Sequence, residues 1–433
     1  MVKDIIIGIR REDKYIHERR VAIIPKHVEK LIKEHNLKFI IQPSKNRIYT
    51  DNEYVNSGAL VSEDLSMCDM IVGVKEVSMR DIFPNKTYMF FSHTIKGQAN
   101  NMTMLKQLIN CKSNLIDYEK ISDDNNKRLI FFGKYAGNAG CIDTLWAIGQ
   151  KLKHKNINNP FLKLKQTKDY NSLDEAIIAI KDIARNINVK GLLENKTPFI
   201  IGITGYGNVA KGVKEVLNYL NIEEITPQRL LEGDLDCNKI YTVTFKENDI
   251  SINKDNPDHF DLNDYYKNPQ NYINNFEQYI DKLSVLFNCM YWAPEYPRLI
   301  TKDFLNNLYS KGEPKLLICG DISCDINGPI ASTIKASSID KPTFVYNPIT
   351  DKATDGFEGY GLLTMAVDIL PTELPREASI SFSKALFDFI PQMAKADFNN
   401  SFEEVDLPKP IKKALILHKG KLTPDFKYIE KFL

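Results

Sequence analysis

The sequence predicts an α/β protein built from two domains, each a doubly wound parallel sheet covered by helices. At 433 residues, of which 43% are apolar, the chain is longer than one domain usually is, so two domains are expected. Short β-branched runs alternate with amphipathic stretches through the first third. A glycine fingerprint between a strand and a helix marks the middle of the chain.

The first domain is predicted to span residues 1–140. Its candidate strands are DIIIGI (4–9), KFIIQ (38–42), MIVGV (70–74), TYMFFS (87–92) and NLIDY (114–118). Crossover helices are predicted over 25–35, where Val28, Leu31 and Ile32 have helical spacing, and over 101–110. Strands that alternate with helices form parallel sheets, which bind ligands at the carboxyl ends of their strands.

The second domain is predicted to span residues 141–365. A glycine-rich loop in FFGKYAGNAGCIDTLWAIGQKL (131–152) leads into an apolar helix, and a strand over 199–204 precedes the glycine fingerprint. Further strands are predicted in KLSVLFNCMYW, PKLLICGDIS and PTFVYNP. The polar stretch 247–278 is predicted to be a surface insertion, and residues 366–433 a helical segment that returns to the first domain.

Composition argues against several classes of function. Lys and Arg number 57 against 56 Asp and Glu, a formal charge of +1, so no global field attracts nucleic acid or a membrane surface. The seven cysteines include no CxxC pair, so neither a disulfide framework nor a metal site is predicted. The first apolar run is too short for a signal peptide, so a cytoplasmic protein is expected, with an organellar matrix left open.

The fingerprint G-x-G-x-x-A predicts a dinucleotide site. Gly205 can make the tight turn, Gly207 can let the backbone approach a pyrophosphate, and Ala210 permits close helix packing. Asn208 and Val209 complete the loop and begin the helix, whose N-terminal amides favour phosphate. A plain glycine turn is the alternative. With this site, both domains are predicted to be Rossmann-like, with an interdomain cleft that closes to exclude water.

The segment after the fingerprint helix, NIEEITPQRL (221–230), bears on the choice of cofactor. An acid at the end of this strand would bind the ribose of NAD, whereas Arg or Lys would bind the extra phosphate of NADP. The strand is predicted to end at Thr226 with Arg229 close behind, which favours NADP and NADPH. A shifted register would bring Glu223 or Glu224 into place and favour NAD.

Titratable residues follow several predicted strands of the first domain. Lys75 and Glu76 follow MIVGV, His93 follows TYMFFS, and Glu119 follows NLIDY. Reduction of a carbonyl or imine requires a proton donor, and Lys and His beside carboxylates can be tuned toward neutral pH. The pattern predicts a catalytic acid–base cluster. A solvated lysine and a packed histidine are the alternative.

Two further sets of residues are candidates for ligand binding. Four arginines crowd one loop, and at least one is predicted to hold a substrate carboxylate through paired hydrogen bonds: Arg10, Arg11, Arg19 and Arg20. Asp321 and Asp325 follow an apolar run of the second domain, so they are expected at the nicotinamide edge of the cofactor site, or else as turn caps.

Several motifs together resemble one enzyme family. They are GIRREDK, ERRVAIIPKHV, GVKEV, NKTYMFFSHTIKGQ, LIDYEKI, FFGKYAGNAGCIDTL, GYGNVAKG, MYWAPEYPRLIT, CGDISCDINGPI and VDILPTELPREAS, in this order over nearly the whole chain. The chain is similar to lysine-ketoglutarate reductase, or saccharopine dehydrogenase (NADP, L-lysine-forming), the N-terminal half of bifunctional aminoadipic semialdehyde synthase. That family lies within the wider alanine dehydrogenase and transhydrogenase group.

The resemblance implies that NADPH reduces the imine formed by L-lysine and 2-oxoglutarate, giving saccharopine. It implies that Lys75 and His93 form the acid–base pair, with Glu76 and Glu119 setting their protonation. The residues it implies for the substrate are Arg20, Lys96 and Gln98, to which the arginine loop adds Arg11. It also implies that Asp325 lies near the nicotinamide.

Two positions depart from the family pattern. Gly97 replaces the alanine of SHTIKAQ, and Tyr206 puts a large side chain in the phosphate loop, which bears on cofactor affinity. The second half of the bifunctional relatives is missing here, so a stand-alone reductase is expected. Three functions remain open: saccharopine formation, a related amino-acid or opine dehydrogenase with another amine or oxo acid, and a non-catalytic nucleotide-binding protein. A homo-oligomer also remains open.

Overall fold

A computed structural model describes residues 5–190 and 197–433, and the side chains of those residues except 188–190. The chain forms two compact units: unit 1 consists of Met1–Phe132 and Pro375–Leu433, and unit 2 of Gly133–Leu374. Unit 2 is longer than the predicted second domain because Gly133–His154 is one helix and Leu370 is buried in the core of unit 2. Asp4, the first residue of the first predicted strand, lies outside the described residues.

The strands of the described residues are numbered in chain order. They are β1 (Ile6–Ile9), β2 (Lys38–Ile41), β3 (Leu60–Val61), β4 (Met70–Val72), β5 (Thr87–Phe90), β6 (Asn114–Asp117), β7 (Phe199–Thr204), β8 (Glu223–Ile225), β9 (Ile240–Phe245), β10 (Ser251–Asn253), β11 (Tyr272–Asn274), β12 (Val285–Asn288), β13 (Ile318–Asp321), β14 (Thr343–Asn347), β15 (Lys352–Asp355), β16 (Leu362–Met365), β17 (Leu415–His418) and β18 (Lys421–Leu422).

The α-helices are numbered in the same way. They are α1 (Pro25–His35), α2 (Asp51–Asn56), α3 (Ala99–Asn110), α4 (Gly133–His154), α5 (Leu173–Lys190), α6 (Asn208–Leu217), α7 (Pro227–Glu232), α8 (Glu247–Ile250), α9 (Leu262–Lys267), α10 (Glu277–Ile280), α11 (Lys302–Ser310), α12 (Pro375–Leu386), α13 (Phe389–Lys395) and α14 (Lys409–Lys413). In these described ranges, no helix is long and apolar enough to cross a membrane.

Unit 1 contains a sheet with the strand order β18-β17-β6-β5-β4-β1-β2-β3. Strands β1 to β6 pair in parallel, and the chain turns from the β2 side to the β4 side of β1, which makes a switch point between β1 and β4. The five predicted strands and two predicted helices of this region are confirmed. The prediction of a helical tail is wrong in part, because the buried apolar strand β17 pairs antiparallel with β6.

Local sequence explains where helix α1 begins and ends. Pro25 stands in its first turn, where a missing N–H costs nothing. Val28 and Leu31 are fully buried on the face that covers the sheet. Asn36 ends the helix in the left-handed region, with a φ of 53°, and its N–H bonds the carbonyl of Ile32. The chain is thereby turned into β2.

Unit 2 contains a second sheet with the order β15-β14-β16-β13-β12-β7-β9-β8. Strands β7, β9, β12 and β13 are parallel, and β14 and β15 are antiparallel at one end. The two sheets confirm the predicted fold class. Strand β8 follows β7 in the chain but lies at the sheet edge, so the strand that pairs with β7 on this side is β9.

Helices α4 and α6 approach each other closely at glycines. The segment 131–152, predicted to begin as a glycine-rich loop, is helical from Gly133, so this prediction is wrong. A Cβ on Gly137 would overlap the carbonyl oxygen of Val209, and one on Gly212 would overlap that of Lys134. The contact between the two backbones therefore offsets the poor helix propensity of these glycines.

The stretch 247–278 is a folded part of unit 2 with a buried aromatic cluster. It contains α8, α9 and the antiparallel pair β10–β11, and Tyr265, Tyr272 and Phe276 are buried. The ring centroid of Tyr265 lies 5.2 Å from that of Tyr272 and 5.2 Å from that of Tyr296. The prediction of a surface insertion is wrong for these tyrosines, because the rings bury apolar area that the polar composition conceals.

Candidate active site and nucleotide site

The carboxyl ends of β1, β4 and β5 bring charged side chains together in unit 1. Since these strands are sheet neighbours, the loops that follow them meet at one edge. The loop after β1 carries Glu12 and Lys14, the loop after β4 carries Lys75 and Glu76, and the loop after β5 carries His93. Of these five residues, the three from the later loops are the ones predicted from the sequence.

Glu76 connects a histidine and a lysine in this cluster. Its Oε1 lies 2.7 Å from His93 Nδ1 and 2.6 Å from Lys14 Nζ, and its side chain is 7% exposed. Burial raises the pKa of Glu76, but the hydrogen bonds from His93 and Lys14 outweigh burial and lower that pKa to about 2. Glu76 is therefore a carboxylate at all physiological pH values, and it accepts a hydrogen bond from the N–H at His93 Nδ1.

The backbone of His93 is held in an uncommon conformation. Its φ is 49°, in the left-handed region that non-glycine residues rarely adopt. Asn101 Nδ2 donates to the carbonyl oxygen of His93 at 3.2 Å, and the imidazole stacks on Phe91 with ring centroids 6.4 Å apart. Such residues cluster at functional sites, so the observed φ supports a functional role for His93.

Glu12 is a member of the cluster that sequence reasoning missed. It accepts hydrogen bonds from the backbone N–H groups of Val74, at 2.7 Å, and Lys75, at 3.0 Å. Arg10 Nη1 donates to it at 2.9 Å, and burial nevertheless raises the pKa of Glu12. Glu12 thus fixes the backbone that carries Lys75, whose amine lies 6.0 Å from the ring centroid of Tyr15. The sequence signal that could have identified Glu12 is its position just after β1.

Several predicted residues contact other partners in unit 1. Glu119 lies 4.0 Å from Arg128, and no hydrogen bond or ion pair among the described residues joins it to His93. Arg11 Nη1 donates to the exposed Glu63 at 2.7 Å. Lys96 is exposed, and its N–H donates to Gln98 Oε1 at 3.1 Å. The structure therefore does not bring these four predicted residues into contact with the Glu76 cluster.

Arg20 forms a buried pair with Glu18. Arg20 Nε and Nη2 donate to the two carboxylate oxygens at 2.8 and 2.6 Å, and the guanidinium lies 4.1 Å from the ring centroid of Phe132. Burial raises the pKa of Glu18, but the charge and hydrogen bonds of Arg20 outweigh it, so the net shift is downward. Arg20 already has a bidentate carboxylate partner, while the exposed Arg19 donates to the backbone of Asn46.

Gly97, one of the two departures from the family pattern, has a structural reason. Its φ is 68°, and a Cβ there would overlap the ring of Phe432. An alanine at this position would be strained by its backbone and would also displace the aromatic ring. Glycine at position 97 therefore leaves the space that the ring of Phe432 occupies.

In unit 2, the glycine fingerprint fits a bound nucleotide. Gly205 has a φ of 83°, and no heavy atom lies within 4 Å of a Cβ placed on Gly207. Gly207 is the N-cap of α6 and lacks a side-chain cap, so the first amides of α6 remain available to a phosphate. Asn208 and Val209 form the first turn, and Ala210 is buried. A cavity of about 270 Å³ opens beside Gly205 and Gly207.

The other predicted cofactor residues lie at different strands. Thr226 and Arg229 follow the edge strand β8: the Thr226 hydroxyl accepts the N–H of Arg229, and Arg229 donates to Glu223 at 2.8 Å. Asp321 ends β13 and is fully buried; burial raises its pKa to about 6 despite hydrogen bonds from Thr333 and Asn288. Asp325 accepts the N–H of Gly328 through its backbone carbonyl, which makes a turn.

Comparison with known folds and families extends these observations. Residues 8–139 match the family model described as alanine dehydrogenase/PNT, N-terminal domain. A solved L-alanine dehydrogenase superposes with a TM-score of 0.62 at 15% identity, and the match covers 99% of this chain and 100% of that one. Unit 1 and unit 2 therefore have an alanine dehydrogenase-like fold.

Curated relatives match nearly the whole chain. The alpha-aminoadipic semialdehyde synthase of Arabidopsis thaliana is 36% identical over 98% of this chain and 41% of its own length. The saccharopine dehydrogenase (NAD(+), L-lysine-forming) of Yarrowia lipolytica is 27% identical over 92% of this chain and 94% of its own. The chain thus spans less than half the length of the Arabidopsis relative. The resemblance predicted from the sequence motifs is confirmed.

Proposed function

We propose, from the kinship of this chain with the alpha-aminoadipic semialdehyde synthases and the L-lysine-forming saccharopine dehydrogenases, that it is an oxidoreductase acting on a C–N bond. In the proposed reaction the ε-amine of L-lysine attacks the keto carbon of 2-oxoglutarate, and loss of water gives an imine. Hydride addition to the imine carbon and proton addition to nitrogen then give saccharopine. The observation that carries the proposal is the cluster of Lys75, Glu76 and His93 at one sheet edge.

The hydrogen bond between Glu76 and His93 determines which nitrogen of the imidazole faces Glu76. Because Glu76 is ionised, Nδ1 of His93 is the nitrogen that carries a proton toward it. The other nitrogen, Nε2, is then the one that can exchange a proton with substrate, as an acceptor when the ring is neutral and a donor when it is charged. Glu76 acts as the positioning residue in this scheme, and His93 as the acid–base residue.

Lys75 is the second proposed acid–base residue. Its backbone N–H donates to Glu12 at 3.0 Å, and the positive charge of Lys75 adds to that of Arg20 in lowering the pKa of Glu18. The anchored backbone places Lys75 at this sheet edge, where its amine can serve as a proton donor or acceptor. Lys14, paired with Glu76, is a further cation of this edge.

A nicotinamide nucleotide, when bound, supplies the hydride. The residues proposed to hold it are Gly205, Gly207, Asn208, Val209 and Ala210. The sequence predicts NADPH from Thr226 and Arg229, with NAD as the alternative, and the strand order of unit 2 bears on this choice. The roles of Arg20, Arg11, Lys96 and Gln98 toward the substrate carboxylates, and a cytoplasmic location, also remain predictions.

The test is loss of reduced nucleotide in the presence of L-lysine and 2-oxoglutarate, with each component omitted in turn. Oxidation that requires all three components, and that is lost in Lys75→Met and His93→Gln variants, would support the proposal. Oxidation with ammonia or another amine, but not lysine, would favour a related amino-acid dehydrogenase. Tight nucleotide binding without any turnover would point to a non-catalytic protein and contradict the proposal.

A further inference from the structure

The sheet order of unit 2 changes which residues stand beside the phosphate loop. Strand β9 pairs directly with β7, with Phe245 opposite Thr204, whereas β8 pairs with the far side of β9. Neighbouring strands are about 4.8 Å apart, so the end of β8 is about two such spacings from β7. The residues that follow β9, Lys246 and Glu247, are therefore the next neighbours of Gly205.

Glu247 is a buried carboxylate that faces the cavity beside the fingerprint. Glu247 is 8% exposed, and it lines the cavity together with Gly205 and Gly207. Tyr266 Oη donates to Glu247 Oε1 at 2.8 Å, and Tyr206 Oη lies 3.4 Å from the same oxygen. Among the described residues, no donor bonds the second oxygen, Oε2. One oxygen is thus fixed by tyrosines and the other remains able to accept hydrogen bonds.

Tyr206 connects the phosphate loop to this carboxylate. It is the residue between Gly205 and Gly207, its hydroxyl lies 3.4 Å from Glu247 Oε1, and both residues line the cavity. Tyr206 and Tyr266 are about half exposed, at 48% and 50%, so their rings offer apolar faces next to the carboxylate. The large side chain in the phosphate loop therefore has a partner, and the two tyrosines orient Glu247.

A carboxylate at this place has a defined chemistry toward a dinucleotide. On the strand beside the fingerprint strand, an acid accepts hydrogen bonds from ribose hydroxyls and repels a 2′-phosphate. Lys246 has the opposite sign, but it is exposed, and its amine lies 5.9 Å from the ring centroid of Tyr206. Arg229, on the more distant strand, is already paired with Glu223.

We propose that Glu247, oriented by Tyr206 and Tyr266, binds the adenosine ribose of the nucleotide and makes this chain prefer NADH to NADPH. The inference rests on the proposed nucleotide site and names the residue that selects between its two ligands. It assigns the choice between NADH and NADPH to a residue that follows β9, and not to Thr226 and Arg229, the residues predicted from the sequence.

The test is direct binding of NADH and of NADPH, without lysine or 2-oxoglutarate, followed by the fluorescence of each reduced nucleotide. The unaltered chain should bind NADH at least about tenfold more tightly, since a hydrogen bond to a charged group is lost and a repulsion gained with NADPH. Glu247→Gln should weaken NADH binding and bring the two dissociation constants together. Tyr266→Phe should reduce the preference partway, because it removes the hydrogen bond that orients the carboxylate.

Lys246→Gln is the matched control, and Arg229→Gln tests the edge strand that the sequence predicts to select the nucleotide. The proposal predicts that neither changes the ratio of the two dissociation constants by more than about twofold. Equal affinity, or tighter NADPH binding by the unaltered chain, would overturn the assignment of Glu247 while leaving a nucleotide site in place. A ratio that collapses in Arg229→Gln would return the selection to the edge strand. Absence of binding to both nucleotides would overturn the nucleotide site itself.

Discussion

The two sheets differ in how chain order relates to spatial order. In unit 1, β1, β2 and β3 are neighbours and so are β4, β5 and β6. In unit 2, β9 intervenes between β7 and β8, although β8 comes first in the chain. Residues at strand ends can therefore be grouped from the sequence in unit 1, whereas in unit 2 the same reasoning selects a strand at the edge.

The units also differ in what happens to a buried carboxyl group. In unit 1, hydrogen bonds from His93 and Lys14 outweigh the effect of burial and lower the pKa of Glu76 to about 2. In unit 2, burial and the neighbouring Asp143 raise the pKa of Glu373. Asp143 accepts from the N–H and hydroxyl of Thr167 at 2.7 and 2.8 Å, and its carboxyl group next to the buried Glu373 favours the protonated form of Glu373. Acidic pH should therefore destabilise unit 1 through Glu76, whereas rising pH should destabilise unit 2 through Glu373.

The largest expected effect is on the packing of unit 2. Gly212→Val should destabilise this unit by at least about 3 kcal/mol, because the new side chain overlaps the carbonyl oxygen of Lys134 and must separate α4 from α6. Thermal unfolding followed by circular dichroism would measure the loss. Gly207→Ala is the control: its Cβ meets nothing within 4 Å, so the melting temperature should stay within a few degrees. A stable Gly212→Val variant would show that the close helix contact is not needed.

The next largest effect is on turnover at the edge of unit 1. Lys75→Met and His93→Gln should each lower kcat by about 10²–10⁴-fold, the usual contribution of a positioned proton donor or acceptor. Steady-state kinetics with lysine and 2-oxoglutarate would measure it. Lys106→Met, on the exposed face of α3, is the matched control and should leave kcat unchanged. Equal losses in all three variants would mean that the effect is not specific to the cluster.

A smaller effect is the pH dependence that Glu76 gives to the stability of unit 1. The lowered pKa of Glu76 means that its stabilisation is complete above about 4.5, the ordinary value, and is lost as the pH falls toward about 2. Glu76→Gln should cost about 1 kcal/mol at pH 7 after screening by solvent, and almost nothing at pH 2. Urea unfolding at several pH values would give the difference. If the loss of stability in Glu76→Gln did not change with pH, the charge of Glu76 would be excluded as its cause.

The raised pKa of Glu373 gives the opposite sign in unit 2. Stabilisation by the protonated carboxyl is complete below its ordinary value of 4.5 and declines as the pH rises toward its higher folded value. Glu373→Gln is neutral at every pH, so the variant should lose less stability between pH 5 and pH 9 than the unaltered chain. Unfolding in urea across this range would show it, with the exposed Glu313→Gln as the control. If the stability of Glu373→Gln changed with pH as much as that of the unaltered chain, a raised pKa of Glu373 would be contradicted.

Much of the fold and part of the site could be predicted from the sequence. Alternation of apolar runs located β1, β2, β4, β5 and β6, and strand ends then pointed to Lys75, Glu76 and His93. Glu12 and Lys14 were missed because they lie in a loop rich in charges, where only the folded backbone shows which side chains turn inward. The loop prediction at Gly137 failed because glycine in a close helix contact looks, in sequence, like glycine in a loop.

The two-part construction of unit 1 has a consequence for protein synthesis. Unit 2 is one continuous stretch, so all of it can leave the ribosome before β17 has emerged from the exit tunnel. During that interval β6 has no β17 beside it, and its free backbone amides and carbonyls form an open template for other chains. A nascent chain stalled before β17 should therefore be a preferred client of chaperones, although its second unit is already folded.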